Sequence, residues 1–344
     1  MRRYLPLFLV SFFILIIVMV SSMYLSGHAE KPPVDSAKKL TIYTTLPAEQ
    51  ISLLSQEYQR NENIRLDILY FSEGELLERI QSEKTPLQAD LIISKQIVLE
   101  EAAKRSLFSS YSSEQTDLIS DDFKDTNGLW TGLWYDPLVF AVNKDFLKGI
   151  SKNPDTWGEL VQDNKYRIAI TDFLVSDISA NLLYSFISTR GEEKAFAFFK
   201  RLHLQTSQYA KFSTTPVRMA GMGEADIGIA PQSDCIRYIN DGFPITIIYP
   251  KDGTVYSLLG AGIVKNSPNE SLGKSFIEWL LLDTPQAILE QNKIHLIPAN
   301  PDSLLYRYFT TKSIILLENK QSLTAKQKKQ LLEKWIQNVR FSPK

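Results

Sequence analysis

Residues 39–95 alternate short apolar strands with amphipathic helices, and this alternation constrains the fold more than any other feature of the chain. Leu40–Tyr43 reads as a strand, and Thr44-Thr45-Leu46-Pro47 turns directly into a helix with Ile51, Leu54 and Tyr58 on one face. Ile64–Tyr70 alternates as a second strand, and Ser72-Glu73-Gly74 opens a second helix carrying Leu76, Leu77 and Ile80. Each strand thus ends in a small, hydroxyl-bearing turn at a helix N-terminus. Backbone N–H groups and the helix dipole favour an anion at such a place. In an open α/β sheet the ligand crevice also lies outside the carboxyl ends of the strands.

The pattern continues along the chain. Asp90–Ile93 reads as a strand, with Ser94-Lys95-Gln96 as a polar turn before a helix containing Val98, Ala102 and Ala103. An aromatic-rich run, Gly128–Leu147, includes a strand at Leu138–Asn143. Thr156 and Glu159 form a capping box that starts another helix. Tyr166–Thr171 is a strand, and Asp172–Ser179 leads into a helix with Leu182, Leu183 and Phe186. Ser213-Thr214-Thr215 precedes Pro216, a favoured residue in a first helical turn. Asp226–Ala230 is a buried strand, Pro231–Asp234 opens a helix, and Ile245–Tyr249 and Tyr256–Val264 are further strands. A helix around Ser271–Leu282 and a basic one at Thr324–Val339 complete an α/β sandwich with mainly parallel sheets.

At 344 residues the chain has room for two domains of ordinary size. Its 38 Lys+Arg nearly cancel its 39 Asp+Glu, and no basic block gives support for nucleic-acid binding. Cys235 is the only cysteine, so an internal disulfide is impossible, and a small buried hydrophobe is its expected role. Arg2 and Arg3 precede an uncharged apolar stretch, Tyr4–Leu25, which favours an N-in orientation with the rest of the chain outside the cytoplasm. That stretch is long enough to span a bilayer and exceeds a usual signal-peptide core of roughly 7–15 residues. Gly27-His28-Ala29 offers a mediocre cleavage site, so an uncleaved anchor is favoured over a cleaved signal peptide. No cysteine follows the apolar segment to carry a lipid.

The run "LTIYTTLP", "SEGELLERIQSEKTPLQADLIIS", "GLWYDPLVFAVNKDFL", "PDTWGELV", "GEADIGIA", "PITIIYPKDGTVYSLLGAGIVKNSPN" and "SFIEWLL" resembles, in order and spacing, the extracytoplasmic solute-binding proteins of the type 2 periplasmic-binding fold. The resemblance covers about Leu40 to Asn300 and is strongest to the branch of ferric-iron, aminoethylphosphonate and sugar-phosphate receptors. It implies two α/β lobes joined by two crossing hinge strands, near Gly132–Val142 and Phe243–Tyr256, with ligand between the lobes. The expected organisation is a signal anchor or signal peptide at 1–29 and a tether at 30–38. Lobe one would be 39–131 with 255–300, lobe two 140–245, and 301–344 C-terminal helices packed on the lobes.

Iron-binding members of this branch place a histidine four residues after the first-strand tyrosine and a tyrosine pair in the second lobe. Here the position four after Tyr43 is Pro47, and Pro231-Gln232-Ser233-Asp234 follows the strand where the tyrosines are expected. The three histidines, at 28, 203 and 295 (the last in a late strand), show no metal spacing. Ferric iron is therefore disfavoured, and no cofactor or metal is expected.

The remaining crevice candidates are Thr44, Thr45, Ser72, Glu73, Gly74, Ser94, Lys95, Tyr135, Ser176, Asp177, Ser179, Gln232, Ser233 and Tyr256. Clustered hydroxyls and helix N-termini suit a phosphate, phosphonate or sulfonate, with Lys95 or Arg218 as counter-charge. A Ser or Thr at a helix start ordinarily caps that helix. Convergence on one crevice is what raises Thr44, Thr45, Ser72 and Ser176 above caps. Arg218, inside a helix, is expected in a surface salt bridge, and Trp134 in the core. Asp136 and Asp177 would meet an amine or sugar hydroxyl of a zwitterionic ligand.

The resulting expectation is a receptor outside the membrane for a small anionic solute, delivered to an ABC permease. The alternative is a membrane-held sensing component that presents ligand occupancy to a sensor kinase. The chain shows no nucleophile elbow, P-loop, metal motif or Cys–His arrangement, which argues against an enzyme.

Overall fold

The computed structural model describes residues 38–82, 87–162, 165–317 and 323–343. The segment expected to anchor the chain (1–29) and all but the last residue of the tether lie outside the described residues. Among the described residues no helix is long and apolar enough to cross a membrane.

Among the described residues ten strands define the architecture: β1 (Lys39–Thr44), β2 (Arg65–Tyr70), β3 (Leu91–Lys95), β4 (Thr131–Asn143), β5 (Ile168–Thr171), β6 (Thr206–Ala210), β7 (Ile227–Pro231), β8 (Ile245–Ile248), β9 (Tyr256–Ile263) and β10 (Ile297–Pro298). Their order is β2-β1-β3-β9-β4-β7-β5-β6, with β8 and β10 also pairing β4. β2-β1-β3 and β7-β5-β6 are parallel, as the strand–helix alternation requires. Every pairing of β4, and that of β9 with β3, is antiparallel. The sheets are thus mixed rather than mainly parallel, because β4 and β9 enter them as return strands and not through helical crossovers.

β4 is the pivot of the molecule. All 13 of its residues are buried, as a strand covered on both faces should be. Thr131–Pro137 pairs with β9, whereas Leu138–Asn143 pairs with β7 and β8. The expected strand at Leu138–Asn143 is only its second half. A register shift between Gly132 and Trp134 bends the first half.

Two large hydrophobic cores lie on either side of this change of partner. One gathers Ile42, Leu54, Ile92, Leu133, Trp134, Ile263 and Phe276, and the C-terminal Phe309 joins it. The other gathers Phe140, Trp157, Ile170, Phe186, Phe199 and Ile229, with Leu331, Trp335 and Val339 from the chain's end. Trp157 is fully buried against Phe140 and Phe186 and donates its indole N–H to the Gly253 carbonyl at 2.8 Å. Its helix, Trp157–Leu160, is thereby tied to the segment linking β8 to β9. Phe173 stacks on Trp335 at 4.5 Å, which fixes the helix Ala325–Trp335 on the same core. A π-helical turn, Ile336–Arg340, ends that helix, so the expected Thr324–Val339 helix is shorter and finishes irregularly. Cys235 is buried and free, consistent with a packing role.

Candidate functional site

The strand ends and helix starts of both cores face one cleft of about 790 Å³. On the side of the first core, β1 ends at Thr44, whose Oγ1 accepts from the Leu46 N–H at 3.0 Å and turns the chain into the helix Ala48–Glu62. The Thr45 and Ser94 hydroxyls meet at 2.7 Å and join the ends of β1 and β3. Thr44 and Ser94 are fully buried, while Thr45 and Lys95 line the cleft. Lys95 closes β3 as a strand residue, so the expected polar turn at Ser94-Lys95-Gln96 is absent and the helix Gln96–Lys104 follows directly.

On the side of the second core, Ser176 caps the helix Asp177–Arg190 by accepting from the Ser179 N–H, and Ser179 is buried beneath it. Asp177 sits at that helix's first turn, where the dipole favours a carboxylate. Its Oδ2 receives the Lys95 ammonium at 3.0 Å, and Lys95 also pairs with Glu73. Burial alone would lower the Lys95 pKa, but the Asp177 and Glu73 charges outweigh it and raise it. Burial, with Asp177 beside it, raises Glu73, whereas at Asp177 the Lys95 charge overcomes burial and holds the carboxyl below its ordinary range.

Deeper in the cleft, Ser233 donates its N–H and hydroxyl to Asp136 at 3.1 and 2.6 Å. Asp136 immediately precedes Pro137, where β4 changes partner. Burial pushes its carboxyl up to about 7 despite those hydrogen bonds. Burial also raises Asp234, which Arg237 partly offsets at 2.9 Å. The Tyr135 ring lines the cleft, and burial raises its phenol.

Of the fourteen residues expected from sequence, the structure brings Thr45, Glu73, Lys95, Tyr135, Ser176, Asp177 and Ser233 together on the cleft wall. The other seven lie elsewhere. Thr44, Ser94 and Ser179 are buried inside the strand ends and the helix cap. Ser72 forms a capping box with Glu75, and the neighbouring Gly74 is exposed away from the cleft. Gln232 is fully buried and accepts from the Tyr249 hydroxyl at 2.7 Å. Tyr256 packs edge-on to Phe123 and Tyr135 and borders a smaller cavity of about 200 Å³. Trp134 is fully buried with its indole N–H on Gln286, and Arg218 lies 3.7 Å from Glu224.

Sequence reasoning missed Gln50, Thr171, Lys211, Arg237, Lys293 and His295, which line the same cleft. Lys293 pairs with Asp241 at 3.1 Å. His295 lies in a loop, not a strand, with Nδ1 3.0 Å from Glu290 and Nε2 3.2 Å from the Asn240 side chain. Neither Lys211 nor Gln50 had a local signal, since the strand that precedes Lys211 is the short polar segment Thr206–Ala210. Among the described residues no group of His, Cys, Asp or Glu is placed to hold a metal ion.

A cleft between two α/β cores, walled by strand ends and helix starts, is a capture site for a small polar molecule. Known proteins agree. The profile of the family described as bacterial extracellular solute-binding protein matches residues 88–313. The periplasmic binding protein AfuA from Actinobacillus pleuropneumoniae, solved with fructose-6-phosphate bound, superposes with a TM-score of 0.70 at 26% identity, covering 89% of this chain and 100% of that one. Iron uptake protein A1 of Synechocystis is 24% identical over 80% of this chain and 81% of its own length. The apo ferric ion-binding protein A of Pasteurella haemolytica shares the fold at a TM-score of 0.74 and 20% identity, covering 89% of this chain and 100% of that one. With this α/β periplasmic-binding fold and a match across most of its length, the chain is a solute-binding protein rather than an enzyme and belongs to the bacterial extracellular solute-binding protein family.

Proposed function

We propose that the protein captures a small organic anion, a phosphate ester or phosphonate, outside the cytoplasm and delivers it to an ABC-type importer. The observation that carries this reading is the donor set of the cleft: Lys95, Lys211, Arg237 and Lys293 face it together with the hydroxyls of Thr45, Ser176 and Ser233. Pro47 stands on that wall where an iron receptor of this branch is expected to carry histidine. Ser233 holds Asp136 where a tyrosine pair is expected. Ammonium, guanidinium and hydroxyl groups suit phosphoryl oxygens, while the cleft carboxylates Glu73, Asp177, Asp234 and Asp136 are engaged by Lys95, Arg237 and Ser233 and form no metal-holding group among the described residues. AfuA, with its bound fructose-6-phosphate, supports the same class of ligand. A probable ABC transporter periplasmic-binding protein of Sinorhizobium fredii, 22% identical over 88% of this chain, supports the transport role.

In this reading the two cores are lobes, 39–131 with 255–300 and 140–245, that close on the solute about β4. The apolar segment Tyr4–Leu25 holds the receptor at the membrane surface. That same tethering would suit presentation of the loaded receptor to a sensor kinase, and neighbouring permease or kinase genes separate the two roles. A thermal-shift screen of the full chain in mild detergent against phosphate esters, phosphonates, neutral sugars and ferric citrate tests the ligand class. A ligand that binds only the folded state raises its apparent stability. Stabilisation by ferric citrate and by no organic anion would overturn the reading.

A further inference from the structure

We infer that the anionic head of the solute docks on the second core, in a subsite built from Thr171, Lys211 and the N-terminus of the helix Thr214–Gly221. Three independent observations meet there. Lys211, Arg237, Lys95 and Lys293 are the cations of the cleft, and three of them are already matched: Lys95 by Asp177 and Glu73, Arg237 by Asp234, Lys293 by Asp241. Lys211 forms no ion pair among the described residues; its ammonium lies only over the neighbouring Phe212 ring, at 5.6 Å. An anion arriving in the cleft therefore gains most at Lys211, where no carboxylate has to be displaced.

Thr171 ends β5 and lines the same cleft, is 3% exposed, and its Oγ1 has no hydrogen-bond partner. A buried hydroxyl without a partner is costly to the fold, so its retention calls for an acceptor that arrives with a ligand. The sheet register places both groups at the same end of neighbouring parallel strands. Thr171 is paired with Ala210, the residue before Lys211, and the Asp172 N–H donates to the Ala210 carbonyl at 2.8 Å.

The third element is the helix Thr214–Gly221. Ser213, its N-cap residue, makes no side-chain capping bond; Thr215 donates to the Phe212 carbonyl at 3.1 Å and Pro216 has no N–H, so this end acts beside Lys211 chiefly through the helix dipole. The Asp234 carboxylate, which accepts a hydrogen bond from Ser213 at this end, is matched by Arg237 at 2.9 Å. On the opposite wall, Gln50 is 4% exposed with its Nε2 unpartnered, which supplies a donor for the far end of the same solute.

This inference rests on the organic-anion reading, and one titration series separates the two. Fructose 6-phosphate, 2-aminoethylphosphonate, inorganic phosphate, fructose and ferric citrate are titrated calorimetrically into the full chain and into Lys211→Met, Lys211→Arg, Thr171→Val and Thr171→Ser. For the phosphoryl or phosphonyl compound that binds, Lys211→Met and Thr171→Val should each weaken affinity about tenfold or more. Lys211→Arg and Thr171→Ser should stay within about threefold, since each keeps the charge or the hydroxyl. The ligand-free Thr171→Val protein should melt no lower than wild type, because it removes an unsatisfied buried group; a role in packing alone would lower it. If wild type binds such a compound and the Met and Val variants bind it equally well, the subsite is wrong and the anion-receptor reading stands. If wild type binds only ferric citrate or only fructose, both fall.

Discussion

Lys95 and Asp177 meet at 3.0 Å across the cleft, Lys95 at the end of a strand of the first core and Asp177 at the first turn of a helix of the second. With Glu73 also on the Lys95 ammonium, this contact bridges the two halves of the molecule directly. The groups are partly exposed, so their contribution to global stability is within about 1 kcal/mol. An equilibrium between open and closed forms is itself a matter of a few kcal/mol, and a bridge of that size shifts it visibly. Lys95→Met should therefore enlarge the radius of gyration of the ligand-free protein in solution scattering. Raising the salt concentration should move wild type in the same direction. Identical scattering profiles for the two proteins would show that the bridge does not hold the halves together.

Asp136 gives a pH signature. Its carboxyl is raised by burial to about 7, far above the value of an unfolded chain. Between about pH 4 and 7 the folded state therefore holds a proton that the unfolded state has lost, and stability falls as pH rises through that window. The stabilisation is fully present at the acid end and gone above about pH 7. A window of that width limits its full span to ~4 kcal/mol. Burial also raises Asp234, which adds a slope of the same sign. Urea midpoints at pH 4, 5, 6, 7 and 8 should show a shallower decline for Asp136→Asn than for wild type. Parallel curves would mean that Asp136 is ionised throughout.

Ser72 and Thr45 looked alike in sequence, each a hydroxyl between a strand and a helix. The structure separates them by partner. Ser72 exchanges hydrogen bonds with Glu75 in a capping box, whereas Thr45 shares its hydroxyl with Ser94 on the cleft wall. Ser72→Ala should lose about 1 kcal/mol of stability, as caps of this kind do, with ligand affinity unchanged. Thr45→Ala should weaken ligand binding several-fold and leave the melting temperature within a degree or two. The same calorimetric titration reads both, and a Ser72→Ala protein with weakened affinity would return Ser72 to the site.

The contrast shows what a sequence of this kind makes legible. β1, β2, β3 and β5 were readable because local apolar periodicity and turn residues specify them, with bounds shifted by a residue or two. The antiparallel share of the sheets was not, since it depends on β4 and β9 returning between cores, a long-range pairing that leaves no local mark. For the site, tertiary burial decided which hydroxyls face the cleft: Thr45 lines it, whereas its neighbour Thr44 and its hydrogen-bond partner Ser94 are fully buried. Lys211 and Thr171 sit at the same end of β6 and β5, a placement that depends on long-range strand pairing, and Gln50 lines the cleft from the first turn of the helix Ala48–Glu62.

Gly228 links the sheet to the inferred anion subsite. It lies in β7 beneath the helix Thr214–Gly221, and a Cβ there would stand 2.3 Å from the Pro216 carbonyl oxygen and 2.6 Å from its carbon. Both are backbone atoms, so no side-chain rotation relieves the clash and the helix must lift away from the strand. Overpacking of this kind costs about 1–3 kcal/mol. Gly228→Ala should therefore lower the urea midpoint and, by displacing the helix N-terminus from Lys211 and Thr171, weaken phosphoryl-ligand binding in the same protein. Gly223→Ala is the matching control, because a Cβ there meets nothing within 4 Å and its strain is confined to a turn at φ +73°. That substitution should lower stability while leaving affinity intact. Equal affinity loss in both variants would point to general loosening, whereas loss in Gly228→Ala alone ties binding to how closely the helix approaches β7.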